Sequence, residues 1–404
     1  MRSVLISGAG IAGPTLAYWL KVAGYKPTLV ERAPVLRHGG YVIDFWGLGY
    51  DLAKRMGLLD EMNRIGYHVR EMRIVNDQGR SVARFGTDVL SDLTAGRYVT
   101  LGRSDLSRLL FEKSNGQIES IFGDTIVCLE EQPDFVRVQF EHARERRFGL
   151  VIGADGLHSR VRSLVFGPQA RFEQHLGYAV AAFEVPGYRP RDENVYCMYG
   201  QPGRMLGRFT LRNNRTLFLF VFVATTEQMP GTIDEQKALL RDLYRYGGWE
   251  CTKVLYELDR TDELYFDSVS QIRMPHWSRG RIALVGDAAF CVSLLAGQGS
   301  VLAMISSYVL AGELAAACGD HQRAFTRYET LLRTYIAGKQ LAAERFAGAF
   351  APKTRLGLSF RNLVVKAFAF PGLASLVLGR DIADSMELPQ YRWPGATSRE
   401  PLDS

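Results

Sequence analysis

The stretch from Val4 to Glu31 leaves this chain few folds to choose from. Val4-Leu5-Ile6 is a short apolar run that reads as a buried strand; Gly8-Ala9-Gly10-Ile11-Ala12-Gly13 follows it, and Pro14-Thr15-Leu16-Ala17-Tyr18-Trp19-Leu20 has helical spacing. A dinucleotide site needs this succession of strand, glycine turn and helix start. Gly8 makes the tight turn, Gly10 lets the backbone approach a pyrophosphate, and Gly13 lets the helix pack closely on the strand. Pro14 suits a first helical turn, where its missing N–H costs nothing. The anion then rests on the free amides of the helix start. The next strand, Pro27-Thr28-Leu29-Val30, ends in Glu31, where an acidic residue accepts hydrogen bonds from a ribose diol. A carboxylate there repels a 2′-phosphate, which favours the adenosine of FAD or NAD over that of NADP.

At 404 residues and 47% hydrophobic, the chain can bury a large core and fill two domains. Its net charge of +6 is mild for that length and is spread out, with one brief cluster at Arg144-Glu145-Arg146-Arg147; this is solvated surface and not a nucleic-acid footprint. The five cysteines, Cys128, Cys197, Cys251, Cys291 and Cys318, are scattered and share no metal-ligand spacing, so a reduced, cytoplasmic protein without a metal site is expected. The first strand begins almost at Met1, and no signal peptide is read before it. Residues 295 to 312 lack charge but carry Gly297, Gln298, Gly299 and several serines, which suits a helix buried in protein. Residues 361 to 380 include Arg361, Lys366 and Pro371, which argues for packing or an interfacial position and against a membrane span.

Farther along, residues 49 to 64 read as helical. Asn76-Asp77-Gln78-Gly79 reads as a hairpin turn between Met72–Val75 and Ser81–Phe85. Thr100 to Leu110 reads as a capped helix with Arg103, Leu106 and Leu110 on one face. Residues 117 to 150 are strand-rich, and Phe148 to Ile152 is a further strand. It ends in Gly153-Ala154-Asp155-Gly156, which puts a carboxylate and open backbone in the crevice where α/β sheets bind ligands. From Phe172 to Ile272 alternating, β-branched and aromatic runs predominate, with a helical interval around Asp234 to Tyr246, as in a mostly antiparallel sheet. A strand at Arg281–Val285 closed by Gly286-Asp287 then restores the nucleotide-fold texture. The sheet is therefore an insertion: residues 1–71, 95–170 and 274–330 form the nucleotide domain, 72–94 and 171–273 the sheet domain, and 331–404 a helical C-terminal segment whose end, from Gly395, is polar.

With Gly8/Gly10/Gly13, Glu31, Arg103, Gly153-Ala154-Asp155-Gly156 and Gly286-Asp287 in this order, the chain resembles the FAD-dependent aromatic hydroxylases, the family of p-hydroxybenzoate hydroxylase. The strings Ile282–Ala289 and Tyr308–Leu314 look closest to its tetracycline-inactivating branch. The resemblance implies an α/β fold with a Rossmann-like FAD-binding domain of the GR2 type and an inserted β-sheet substrate domain. It implies FAD held by Gly8, Gly10, Ala12, Gly13, Glu31, Arg32, Arg103, Asp155, Gly156, Gly286, Asp287, Gly297, Gln298 and Gly299. NAD(P)H would bind transiently, in keeping with the single nucleotide fingerprint. The implied reaction oxygenates an aromatic or polyketide-like molecule with O2 through a flavin C4a-hydroperoxide, and the protein supplies no acid/base triad. A monomer or homodimer without membrane or nucleic-acid partners is expected.

Candidates for the substrate wall are Tyr178, Phe183, Tyr196, Met198, Phe209, Phe220, Phe222 and Leu294, with Arg208 and His175 as groups that would steer a phenolate or act as a base. Alternation sends only about half of a strand's side chains to one face. The chain departs from the family at Leu294, where relatives usually carry proline, at Ser300-Val301, where asparagine is frequent, at Phe290, and at Phe45-Trp46. These changes make the site more apolar. They keep open two other readings: a same-fold flavoprotein with structural FAD that catalyses a non-redox cyclisation or isomerisation, and a ligand-binding protein without turnover.

Overall fold

The computed structural model describes residues 2–36, 41–114, 118–188, 192–225, 229–368 and 384–394. Its organising layer is a six-stranded sheet in the order Ser278–Arg279, Ile282–Leu284, Leu150–Gly153, Ser3–Ser7, Lys26–Glu31, Glu119–Phe122, parallel except at the first, two-residue strand. Ser7 lies beside Gly153 on one side and Val30 on the other, and Gly153 lies beside Leu284. The register brings the carboxyl ends of four strands level. Turns from four distant parts of the sequence therefore open into one crevice, as parallel sheets require of their ligand sites.

The apolar runs are buried on both faces, as strands of a covered parallel sheet must be: Val4, Leu5, Ile152 and Leu284 are fully inaccessible. Helix Ala12–Val22 covers one face and packs on helix Gly299–Ala316. Of the described helices only Gly299–Ala316 is long and apolar enough to cross a membrane, and 83% of it is buried inside the protein. A helix apolar all round is a core helix when protein surrounds it.

The second layer is a seven-stranded sheet in the order Tyr265–Ile272, Glu173–Pro186, Arg215–Val223, Arg204–Leu211, Val195–Gln201, Glu71–Val75, Ser81–Gly86. The hairpin turning at Asn76–Gly79 is thus an edge of the inserted sheet, joined to it by the single parallel pairing, Val195–Gln201 with Glu71–Val75. One face of this sheet packs against helices Ile233–Tyr244 and Cys251–Arg260, the second of which was not anticipated. The other, inner face turns towards the flank of the nucleotide domain, where Leu294, Leu295, Phe350 and Ala351 meet it.

Several local expectations change. The helix expected from Thr100 begins at Arg103, because Tyr98–Gly102 is drawn into a two-stranded sheet with Val42–Trp46. Residues 49 to 64 form two helices, Leu48–Arg55 and Leu59–Ile65, interrupted at Met56-Gly57. Phe148 and Leu150 belong to different strands separated by Gly149. The expected boundary at residue 330 falls inside the continuous helix His321–Phe350, so the C-terminal segment is not set apart there. Helix Arg355–Ala367 follows; the rest of the apolar stretch to residue 380 and the tail from Gly395 lie outside the described residues, as does the loop 37–40. Residues 384–394 return to the nucleotide domain, where Trp393 stacks on Trp19 at 4.9 Å and Asp384 accepts a hydrogen bond from the Leu48 amide at 2.8 Å.

Candidate functional site

A cleft of about 1150 Å³ opens at the carboxyl ends of the parallel strands. That is above the range of about 300–1,000 Å³ for small-ligand sites and suits a longer molecule. Ser7 to Ala12, Glu31, Arg32, Arg103, Ser107, Asp155, Gly156, Asp287, Gly297 and Gly299 all line it. Gly13, Gly286 and Gln298 do not; they shape the turns behind the lining.

The glycine turn is locked from the protein side. Gly8 has φ +106°, and a Cβ there would lie 2.5 Å from the Ala154 carbonyl oxygen, so this turn and the Asp155 turn are in backbone contact. A Cβ on Gly13 would lie 1.9 Å from the Gly8 oxygen. Gly10 is different: its Cβ would meet nothing nearer than Arg103 Nη2 at 3.8 Å, so the protein's own packing does not demand a glycine there. Ser107 Oγ, one turn beyond Arg103, donates to the carbonyl oxygens of Ala9 and Gly10, both at 3.2 Å, and fixes helix Arg103–Ser114 against the turn. Sequence reasoning missed this serine, although its spacing of four from Arg103 was visible.

Glu31 accepts hydrogen bonds from the amides of Ala9 at 2.8 Å and Ala33 at 2.9 Å, which orient its carboxylate along the cleft wall. Asp155 is committed differently. Ser159 Oγ and the Val161 amide donate to it at 2.5 and 3.0 Å, so it holds the start of helix Arg160–Val165. Burial pushes its pKa up against those hydrogen bonds. Arg162, wholly buried, donates to the carbonyl oxygens of Ala288 at 3.0 Å and Leu157 at 2.6 Å, and so ties the Asp155 turn to the Asp287 turn.

Asp287 opens the short helix Asp287–Phe290 and lines the cleft. Burial raises its carboxyl above the ordinary range, while the nearby Arg103 charge works the other way. Arg103 makes no salt bridge among the described residues, yet it projects into the cleft beside Gly10. A guanidinium in that position is an electrostatic invitation to an anion. An open Gly10, an uncommitted Arg103 and an oriented Glu31 carboxylate are the fittings of a dinucleotide cofactor, and the residues present fit FAD.

Beyond the glycine turn, Tyr41 and Tyr265 approach with ring centroids 5.9 Å apart, and His158 Nε2 lies 3.3 Å from Asp267, joining the nucleotide domain to the sheet domain across the cleft. Asp267 holds the His158 pKa above its ordinary value. Neither pair carries a local sequence signal, since its members are more than a hundred residues apart.

The proposed substrate wall divides by strand parity. Tyr178, Met198 and Leu294 share an apolar cluster on the inner face with Val180, Met205, Val221 and Leu295. Phe183, Phe220 and Phe222 lie on the opposite face, packed against Leu240, Tyr244 and Val254 of the two outer helices; this corrects their assignment as a wall facing the cofactor, although Phe183 also borders the outer end of the cleft. Arg208 is corrected too. It is 5% exposed on that outer face, where it pairs with Asp192 at 2.8 Å and with Glu250 and lies over Trp249. His175 sits at a bulge and accepts the Gly177 amide at Nδ1, 3.0 Å. Tyr196 stacks on Phe209 at 4.4 Å, and its hydroxyl points to Asp44, which Thr100 and Tyr98 also contact at 2.6 and 2.7 Å.

The turn between cleft and inner face is strained. Ser293, with φ +126° and ψ 140°, stands in a region that non-glycine residues rarely occupy and precedes the turn Leu294–Ala296. Gly297 and Gly299 then lead into helix Gly299–Ala316, whose amino end faces the cleft.

Comparison with known proteins follows the same lines. The family described as FAD binding domain matches residues 1–347. A flavin-dependent monooxygenase of Legionella longbeachae is 31% identical over 96% of this chain and 98% of its own length. An uncharacterized protein of Mycobacterium tuberculosis is 40% identical over 91% of this chain and its whole length. Among solved structures, tetracycline destructase Tet(55) superposes with a TM-score of 0.82 at 31% identity, covering 97% of this chain and 99% of that one. Klebsiella pneumoniae HpxO complexed with FAD and uric acid, at 22% identity and a TM-score of 0.77 over 94% of this chain and 96% of that one, shares the fold.

Proposed function

That this chain belongs to the FAD-binding-domain family is the premise from which we propose that it oxygenates a polycyclic aromatic or polyketide-like molecule with electrons from NAD(P)H. It is an FAD-dependent monooxygenase like its named relatives. When bound, FAD would supply the redox chemistry, in which a reduced nicotinamide provides two electrons and one atom of O2 goes to an electron-rich substrate while the other leaves as water.

The residues carry the remaining tasks. Gly8 and Gly10 seat the pyrophosphate on a turn that Gly13 packs from behind, Glu31 takes the adenosine ribose, and Arg103 neutralises phosphate charge. Asp287, Gly297 and Gly299 meet the rest of the cofactor. The partial positive charge at the amino end of helix Gly299–Ala316 stabilises negative charge on a ring placed against it. Tyr178, Met198, Met205 and Leu294 give the substrate an apolar wall that keeps water from the reacting atoms.

One observation carries the reading: Leu294 and Leu295 share a cluster with the inner sheet face, and two residues later the same loop lines the cofactor cleft. Substrate wall and cofactor cradle are therefore continuous. The named relatives favour a polycyclic substrate, because a tetracycline destructase superposes over nearly the whole chain. The test is to add NADH or NADPH to the purified yellow protein with tetracycline and a panel of phenolic polyketides. Bleaching near about 450 nm that recovers only with oxygen, with an oxygenated product by mass, is expected. A flavin that no nicotinamide reduces, with or without these compounds, overturns the proposal.

A further inference from the structure

Helix Arg355–Ala367 lies across the inner face at the edge of the inserted sheet. Val364, Val365 and Phe368 pack there against Met72 and Phe85. One turn earlier, Arg361 lies on the sheet at Gly200. A Cβ on Gly200 would stand 3.1 Å from Arg361 Nη2 and 3.3 Å from Nη1, so the missing side chain makes room for the guanidinium. Gly200 follows Met198 by two positions on the strand Val195–Gln201 and therefore shares its face. Arg361 Nη1 also donates to the carbonyl oxygen of Phe350 at 3.3 Å, and Phe350 packs against the cluster containing Tyr178, Met198 and Leu294.

The charge on Arg361 is not matched. Its other bonds, from Nε at 3.2 Å and Nη2 at 2.9 Å, both go to the amide oxygen of Asn362, and it makes no salt bridge among the described residues. A guanidinium has five N–H donors, and three hydrogen bonds to neutral oxygens leave both donors and charge to spare. Half-burying a cation without an anion is costly, and burial lowers the Arg361 pKa accordingly. Arg208 is buried with Asp192 and Glu250, and Arg73 is paired with Glu71 and Asp192, whereas the wholly buried Arg162 is tied by neutral oxygens of Ala288, Leu157 and Gln169, three separate anchors from two turns and a side chain. Arg361, with one side-chain oxygen and one carbonyl, is closer to Arg103, which makes no salt bridge among the described residues and faces the cofactor cleft.

We propose that Arg361 anchors an anionic oxygen of the substrate, a carboxylate or an acidic phenolate or enolate, at the end of the inner sheet face marked by Gly200. The inference rests on reading that face as the substrate wall. It makes this a monooxygenase selective for acidic polycycles, with orientation set by one ion pair at the end of the strand Val195–Gln201 and the apolar cluster between that pair and the cofactor.

The FAD-loaded enzyme is titrated with two probes of matched shape, anthracene-9-carboxylate and anthracene-9-methanol, and binding is read from the perturbed flavin absorption spectrum. The wild type is expected to prefer the carboxylate by at least about tenfold, the scale of a hydrogen bond to a charged group. Arg361→Met is expected to bind the two alike, with its carbinol affinity unchanged, and Arg361→Lys to keep part of the preference. A structural role alone would weaken both probes together, so an unchanged carboxylate-to-carbinol ratio in Arg361→Met overturns the proposal. If Arg361→Met fails to hold FAD, the ratio in Arg361→Lys decides, and a wild-type ratio near one refutes the anchor while leaving the apolar wall standing. If neither probe perturbs the wild-type flavin, the inner face is not the substrate wall, and both proposals fall.

Discussion

Two glycines only three residues apart are expected to fail in opposite ways when given one methyl group. At Gly10 an added Cβ has no neighbour nearer than 3.8 Å, and the backbone there is not in the left-handed region. Gly10→Ala is therefore tolerated by the apoprotein and, by restricting the unfolded chain, stabilises it by about 0.4–1 kcal/mol. The same methyl fills space that a phosphate needs. At the usual overpacking cost of about 1–3 kcal/mol, FAD binds roughly five- to 150-fold more weakly. At Gly13 the Cβ would lie 1.9 Å from the Gly8 oxygen, far inside contact distance, and the obstacle is backbone. Gly13→Ala is expected to destabilise the apoprotein by at least the upper end of that same range, about 3 kcal/mol. Urea melts of flavin-stripped protein measure the first quantity, and quenching of FAD fluorescence on titration measures the second. Equal loss of apoprotein stability in the two variants, or FAD affinity within twofold of wild type in Gly10→Ala, would show that Gly10 is an ordinary packing glycine and not space kept for the cofactor.

The outer sheet layer and the Asp44 cluster give two further tests. Phe220 is fully buried between the sheet and the outer helices, so Phe220→Ala should lose about 3–5 kcal/mol in urea melts while the folded fraction keeps its substrate KM; a raised KM without lost stability would return Phe220 to the substrate wall. Burial raises the Asp44 carboxyl above its ordinary range, against the hydroxyls that hydrogen-bond to it. The folded state thus prefers the protonated form. The stability Asp44 contributes is complete below its unfolded pKa, about 3.9, and is lost as pH rises through the higher folded value. Asp44→Asn cannot ionise, so its urea midpoint should gain on wild type as pH rises above about 4; a gap that does not change with pH would contradict the raised pKa.

The inner sheet face shows how far three-dimensional context reassigns residues of identical sequence character. Phe220 and Val221 are adjacent apolar residues of one strand, yet one is locked under a helix and the other looks towards the loop at Leu294. Nothing in either residue distinguishes the two fates. The irregularity between His175 and Ala179 puts two extra residues on the neighbouring strand, which shifts its pairing register but keeps its parity, so that Leu176, Tyr178 and Val180 share the inner cluster.

The turns of the parallel-sheet half were legible in the chain alone: the Gly8 to Gly13 turn, Glu31, the Asp155 turn and the Gly286-Asp287 turn. Each is a local signal, because a glycine or acid at a strand's end is demanded by backbone conformation within a few residues. The alternating runs also announced a sheet. It took the folded chain to show which half of that sheet's side chains meets the cofactor domain, that Arg208 is neutralised while Arg103 and Arg361 are not, and that Ser107, Tyr265 and the His158–Asp267 pair belong to the cleft. A pleated strand fixes alternation but not its phase, and whether a charge is paired depends on what the fold brings against it from elsewhere in the chain.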